Sequence, residues 1–106
     1  MVEVTYIRRP LEGKMAFKVK GHAGNDEVCA AASMLAYTAA ASLEQWADGI
    51  LDDKTIQFEA GNAVVAVKFD SKYRESILIQ FDTLAAGFDL LAGNFPDKAE
   101  FEVIDK

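Results

Sequence analysis

The chain has 106 residues, 51% of them hydrophobic and 26% charged, a balance that excludes intrinsic disorder and fits one domain of ordinary size covering residues 1–106. Its 17 acidic against 11 basic side chains leave a net charge of -6, which argues against a nucleic-acid binder built on clustered Lys and Arg. One cysteine excludes an internal disulfide, and with the single His22 it leaves too few ligands for a structural zinc site.

Val2, Val4 and Tyr6 alternate with Glu3 and Thr5 from the first residues, as a strand does and a signal peptide does not. Pro10-Leu11-Glu12-Gly13 reads as a turn. Met15, Phe17 and Val19 then alternate with Ala16, Lys18 and Lys20 and complete a hairpin. Arg8, Arg9, Lys14, Lys18 and Lys20 give that hairpin a modest basic face, which as a solvated surface needs no function.

The loop Gly21-His22-Ala23-Gly24-Asn25 leads to Asp26, a residue type suited to cap a helix. The alanine-rich run from Val28 to about Ala47 predicts a helix that Gly49 stops, and its apolar circumference predicts burial on more than one side. Thr55 to Ala60 predicts a strand with Ile56 and Phe58 inward, Gly61-Asn62 a two-residue turn, and Ala63 to Phe69 a central strand apolar on both faces. Ile77, Leu78, Phe81, Leu84, Ala85, Phe88 and Leu91 form a helical stripe between Lys72 and Ala92, with Glu75, Gln80, Asp82 and Asp89 on the opposite face. Gly93 and Pro96 end that helix, and Phe101, Val103 and Ile104 close the chain as a strand. The order β-β-α-β-β-α-β predicts a two-layer α+β domain, two helices on one face of a mixed or antiparallel sheet. No run approaches the roughly 20 apolar residues of a membrane span, and a cytoplasmic location is expected.

The chemical candidates flank the glycine-bearing loop. With Asp26 as cap, Cys29 falls at the third helical position, where free N–H groups and the helix dipole favour a thiolate and can hold an oxyanion. His22, the one imidazole, lies seven residues earlier, close enough to fold back as the partner of a Cys–His dyad. Gly21 and Gly24 permit the backbone angles this needs, and Asn25 or Asp26 can orient the ring. Ser33 and Tyr37 follow Cys29 at four-residue steps and share its helical face. Spacing alone leaves open that Cys29 is a small buried hydrophobe, that Ser33 is a packing hydroxyl, and that Tyr37 and Trp46 belong to core or dimer packing.

Gly21-His22-Ala23-Gly24 followed by Asp26-Glu27-Val28-Cys29-Ala30-Ala31-Ala32-Ser33 resembles the signature of the ribosomal-processing cysteine protease family, Prp, and the resemblance extends over nearly the whole chain. It implies a homodimeric, cofactor-free thiol endopeptidase that removes a short N-terminal extension from bacterial large-subunit ribosomal protein number twenty-seven. His22 matches the family's histidine, Cys29 its nucleophile and Asp26 the aspartate before it, with Gly21 and Ser33 at supporting positions. One departure stands out: six residues separate His22 from Cys29, several fewer than the family's usual flap-like loop. A shortened flap is also compatible with the alternative of a non-catalytic homodimeric module binding a ribosomal protein or another basic peptide.

Overall fold

The computed structural model describes residues 1–24 and 26–105. Strands β1 (Val2–Arg9) and β2 (Lys14–Lys20) are joined by a 3-10 turn at Pro10–Glu12. Helix α1 (Asp26–Glu44) precedes the hairpin of β3 (Asp53–Glu59) and β4 (Asn62–Lys68). A second 3-10 turn at Ser71–Tyr73 leads into α2 (Arg74–Asn94), and β5 (Ala99–Asp105) ends the described chain. The expected β-β-α-β-β-α-β order therefore holds. The strands form a five-stranded mixed sheet in the order β3-β4-β2-β1-β5, antiparallel throughout except for the β1–β5 pair. β4 lies between β3 and β2, an interior position that explains why it is apolar on both faces.

Alternation sorts each strand between the two faces. Val2, Val4, Tyr6, Met15, Phe17, Val65 and Val67 are buried toward the helices. Phe17 centres this layer: its ring lies 4.7 Å from Tyr6, 5.2 Å from Phe81 and 5.1 Å from Phe88. On α2 the predicted stripe is the buried face, with Ile77, Phe81, Leu84, Ala85, Phe88 and Leu91 all in the core. By length and composition alone Ser71–Asn94 would be apolar enough to cross a membrane, although the sequence reading found no such run; here its stripe packs on the sheet. Gly87 sits where the helices approach, since an added Cβ would come within 2.7 Å of Leu35 Cδ2 on α1.

The rest of the reading is refined by the structure. Within the single chain α1 is buried along one stripe, Val28, Ala32, Ala36, Ala39, Ala40 and Leu43, while Ala30, Met34, Tyr37, Thr38 and Ala41 are exposed. Alanine made both faces look alike in sequence, because its small side chain costs little in either environment. The helix also ends at Glu44 rather than near Ala47. Gln80 of α2 donates its side-chain N–H to the Ser42 carbonyl at 2.9 Å and accepts the Trp46 indole N–H at 3.1 Å. Beside this contact the Trp46 backbone N–H donates to Leu43 O, an i to i−3 bond, and the α-helical ladder stops. Gln80 thus reaches the neighbouring helix rather than facing solvent.

Asp82 makes the same kind of reach. It accepts the buried Tyr6 hydroxyl at 2.7 Å and pairs with the Arg8 guanidinium, which also bonds Asp105. Burial, together with the bond to Asp82, pushes the Tyr6 phenol far above its usual range. Burial works against the Asp82 carboxylate, but the hydrogen bonds from Arg8 and Tyr6 outweigh it and hold the group below its ordinary value. A lowered folded-state value means that this stabilisation is present above the unfolded value of about 3.9 and is lost as pH falls through the folded one. Asp82→Ala is expected to cost about 1–3 kcal/mol in urea unfolding at neutral pH, because it orphans the Tyr6 hydroxyl. Asp82→Asn, which keeps an acceptor, is expected to cost less and to flatten the acid limb of the stability–pH curve.

Candidate active site

The site forms where the β2–β4 ladder runs out. The last strand pair is Lys20 with Asn62, and the ladder continues one step further as Gly21 N–H donates to Gly61 O at 2.9 Å. Gly21 has φ +95, and a Cβ there would collide with the Met1 carbonyl oxygen, so only glycine fits. The Met1 amino group donates to the His22 carbonyl at 2.6 Å, tying the loop to the start of β1. Gly24, with φ +65, then turns the chain toward α1.

This path brings His22 and Cys29 to the same cleft, about 420 Å³ in volume. Its floor is α1, through Cys29, Ala32, Ser33, Ala36 and Tyr37; its walls are the Gly21-His22 segment and the β3–β4 hairpin around Phe58 to Ala63. Helical side chains lean toward the N-terminus, so Cys29 directs its sulfur over the opening turn of α1. Cys29 is half-buried, packed on one side against the core, and accepts the Ala23 backbone N–H at its sulfur, 3.4 Å away. His22 is exposed and its ring rests against Gly61. Among the described residues, no hydrogen bond joins the imidazole to the sulfur.

The other sequence candidates divide. Gly21 and Ser33 line the cleft. Tyr37 lies there too, its ring stacked 4.4 Å from Phe58. Trp46 lies elsewhere, edge-on to Tyr73. Asp26 does not flank the helix as its cap; it is the exposed first residue of α1, which moves Cys29 to the fourth helical position. Its carboxylate stands outside the cleft lining. Asn25, and with it the suggested contact to the ring, lies outside the described residues. Sequence reasoning missed Phe58, Gly61 and the Ala23 N–H as parts of the site. Gly61 was legible only as a turn residue, and a backbone donor leaves no trace in side-chain identity.

A thiol and an imidazole at one cleft beside a helix start place the chain among candidates for thiol chemistry, and sequence comparison narrows that class. The profile described as cysteine protease Prp matches residues 1–100. The chain belongs to that family and is accordingly a cysteine-type endopeptidase. Among solved structures it is similar to SMU.848 from Streptococcus mutans, with 26% identity and a TM-score of 0.73 over 100% of this chain and 96% of that one. It shares its fold with the ribosomal processing protease Prp from S. aureus bound to a substrate peptide, at 14% identity and a TM-score of 0.73 over 98% of this chain and 100% of that one. The S. aureus protein with a covalently linked product peptide is similar at 15% identity and a TM-score of 0.71, with the same coverage. No curated protein sequence matches the chain.

Gly21→Ala is expected to lower stability by about 1–3 kcal/mol through strain at a left-handed backbone position. For a chain of this size that is about 4–8 °C in Tm for each kcal/mol, read by thermal unfolding.

Proposed function

We propose that residues 1–106 form one peptidase domain in which Cys29 is the nucleophile and His22 its general base, and that the enzyme trims the N-terminal extension of large-subunit ribosomal protein number twenty-seven. The observation that carries the reading is that one cleft holds the chain's only thiol and only imidazole at the start of α1, in a member of a cysteine protease family. The substrate assignment is supported by the S. aureus relative, described as a ribosomal processing protease.

In this mechanism His22 removes the Cys29 proton and the thiolate attacks the scissile carbonyl carbon, forming a C–S bond as the carbonyl π electrons move to oxygen. The Ala23 N–H, already directed at the sulfur, stands beside the forming bond and can pass to the oxyanion. Collapse breaks the C–N bond, His22 returns the proton to the leaving amine, and a water activated by the same imidazole hydrolyses the thioester. Ring and sulfur close to bonding distance as the substrate fills the cleft; catalytic hydrogen bonds are often long before substrate arrives. Gly21 and Ser33 shape the cleft, Asp26 supports the helix start, and the chemistry needs no metal or organic cofactor.

The decisive measurement is intact-mass analysis of an extension-bearing ribosomal protein incubated with wild type, Cys29→Ala and His22→Ala. Wild type should release the extension, Cys29→Ala should not, and His22→Ala should be slower by about 10²–10⁴-fold. Equal cleavage by all three overturns the mechanism.

The proposal includes a homodimer in the cytoplasm, where ribosomal proteins are made. Met34, Ile79 and Leu90 project from the two helices at 66%, 62% and 68% exposure, and pairing two such faces would cover them. Sedimentation should show a dimer for wild type and a shift toward monomer for Met34→Glu/Leu90→Glu; a wild type that stays monomeric at high concentration removes this part.

A further inference from the structure

We infer that Gly61, at the tip of the β3–β4 hairpin, is a positioning residue for the His22 imidazole: its missing side chain is the seat of the ring. This inference rests on the reading of His22 as general base. Three observations support it. A Cβ built on Gly61 would lie 2.8 Å from His22 Nε2, with ring carbons Cδ2 and Cε1 at 3.5 and 3.6 Å. That is closer than real Cβ contacts come, so any L side chain at position 61 must push the ring aside. Second, Gly61 accepts the Gly21 N–H one residue before His22, so the seat and the backbone carrying the ring are bonded together at 2.9 Å. Third, His22 is exposed, and the described contacts give its ring no hydrogen-bond partner that would hold it otherwise.

A glycine at a hairpin tip is ordinarily explained by backbone angle alone, and Gly61 does have φ +72. The collision with the ring is an additional requirement: Gly13 and Gly21 would meet backbone carbonyls, and Gly49 has φ +83 with open space around its Cβ position. The hairpin is thereby coupled to catalysis: moving its tip moves the base.

The test compares Gly61→Ala with Gly49→Ala, which introduces similar left-handed strain without a collision, in wild-type and His22→Ala backgrounds. Gly61→Ala is expected to lower kcat by at least about tenfold, as for a partly misplaced base, with KM little changed. It should also shift the pH profile of Cys29 alkylation toward that of His22→Ala. Gly49→Ala should leave both readings as in wild type. Once the ring is gone the collision is gone, so Gly61→Ala should add no further activity loss to His22→Ala. An unchanged pH profile, or a further activity loss in the His22→Ala background, overturns the inference. Should Gly61→Ala fail to fold, nuclear Overhauser contacts between the His22 ring protons and the Gly61 α-protons in wild type decide: their presence supports the seat and their absence overturns it. If His22→Ala cleaves normally, the catalytic reading fails by itself, while the Overhauser contacts still report whether Gly61 seats the ring.

Discussion

The site depends on one backbone hydrogen bond, from Gly21 N–H to Gly61 O. Within the sheet, β2 and β4 hold each other in register through side chains buried against the helices: Phe17 faces Val65, and Met15 faces Val67. A one-residue slip would turn that whole set toward the helix-free face, so the register is strongly fixed. The Gly21–Gly61 bond carries the same register one step beyond the strands, into the loop that bears His22 and the hairpin tip that faces it. Two glycines are needed because both partners have positive φ, and because their Cβ positions are occupied by the Met1 carbonyl in one case and the His22 ring in the other. The core thereby dictates where the backbone carrying the imidazole stands, although the imidazole itself is exposed.

The second constraint is how α1 packs. Four of the six residues in its buried stripe are alanine, small side chains that permit close approach, and its opening turn brings Cys29 to the cleft beside the loop after β2. Beside it α2 packs larger side chains on the same core, with Phe81 and Phe88 against Phe17. The division of labour is physical. The aromatic residues supply buried area, and the alanines supply proximity.

How much of this could be read from the chain follows from which forces are local. The α2 stripe was legible because leucine, isoleucine and phenylalanine at helical spacing have one use. The Gly-His-Ala-Gly loop and the cysteine after it were legible because unusual residues stood together. The end of α1 was not, because Gln80, 38 positions after Ser42, caps that carbonyl and no local signal records it. The hairpin turn was placed one residue late. The loop is Ala60-Gly61, with Asn62 already paired to Glu59, so the left-handed residue is the second of the loop and not the first. A glycine beside an asparagine satisfies either register locally, and the pairing of β4 with β2 makes the choice. The one-residue shift decides which hairpin position faces His22.

The charge at the start of α1 bears on what sustains a thiolate there. The sequence suggests a helix dipole favouring an anion, and the geometry tempers it: Asp26 and Glu27 both occupy the first turn. A helix N-terminus stabilises a nearby negative charge by about 0.3–1 kcal/mol, and a carboxylate already there takes up part of that field and repels the next anion. What stands beside the Cys29 sulfur itself is local: the Ala23 N–H at 3.4 Å and, in the proposed mechanism, the His22 imidazole brought alongside it. A cation within a few ångströms in a half-buried cleft outweighs a screened dipole, and its effect falls steeply with distance. The proposed mechanism therefore makes activity depend on where the imidazole sits, and less on the charge of the helix.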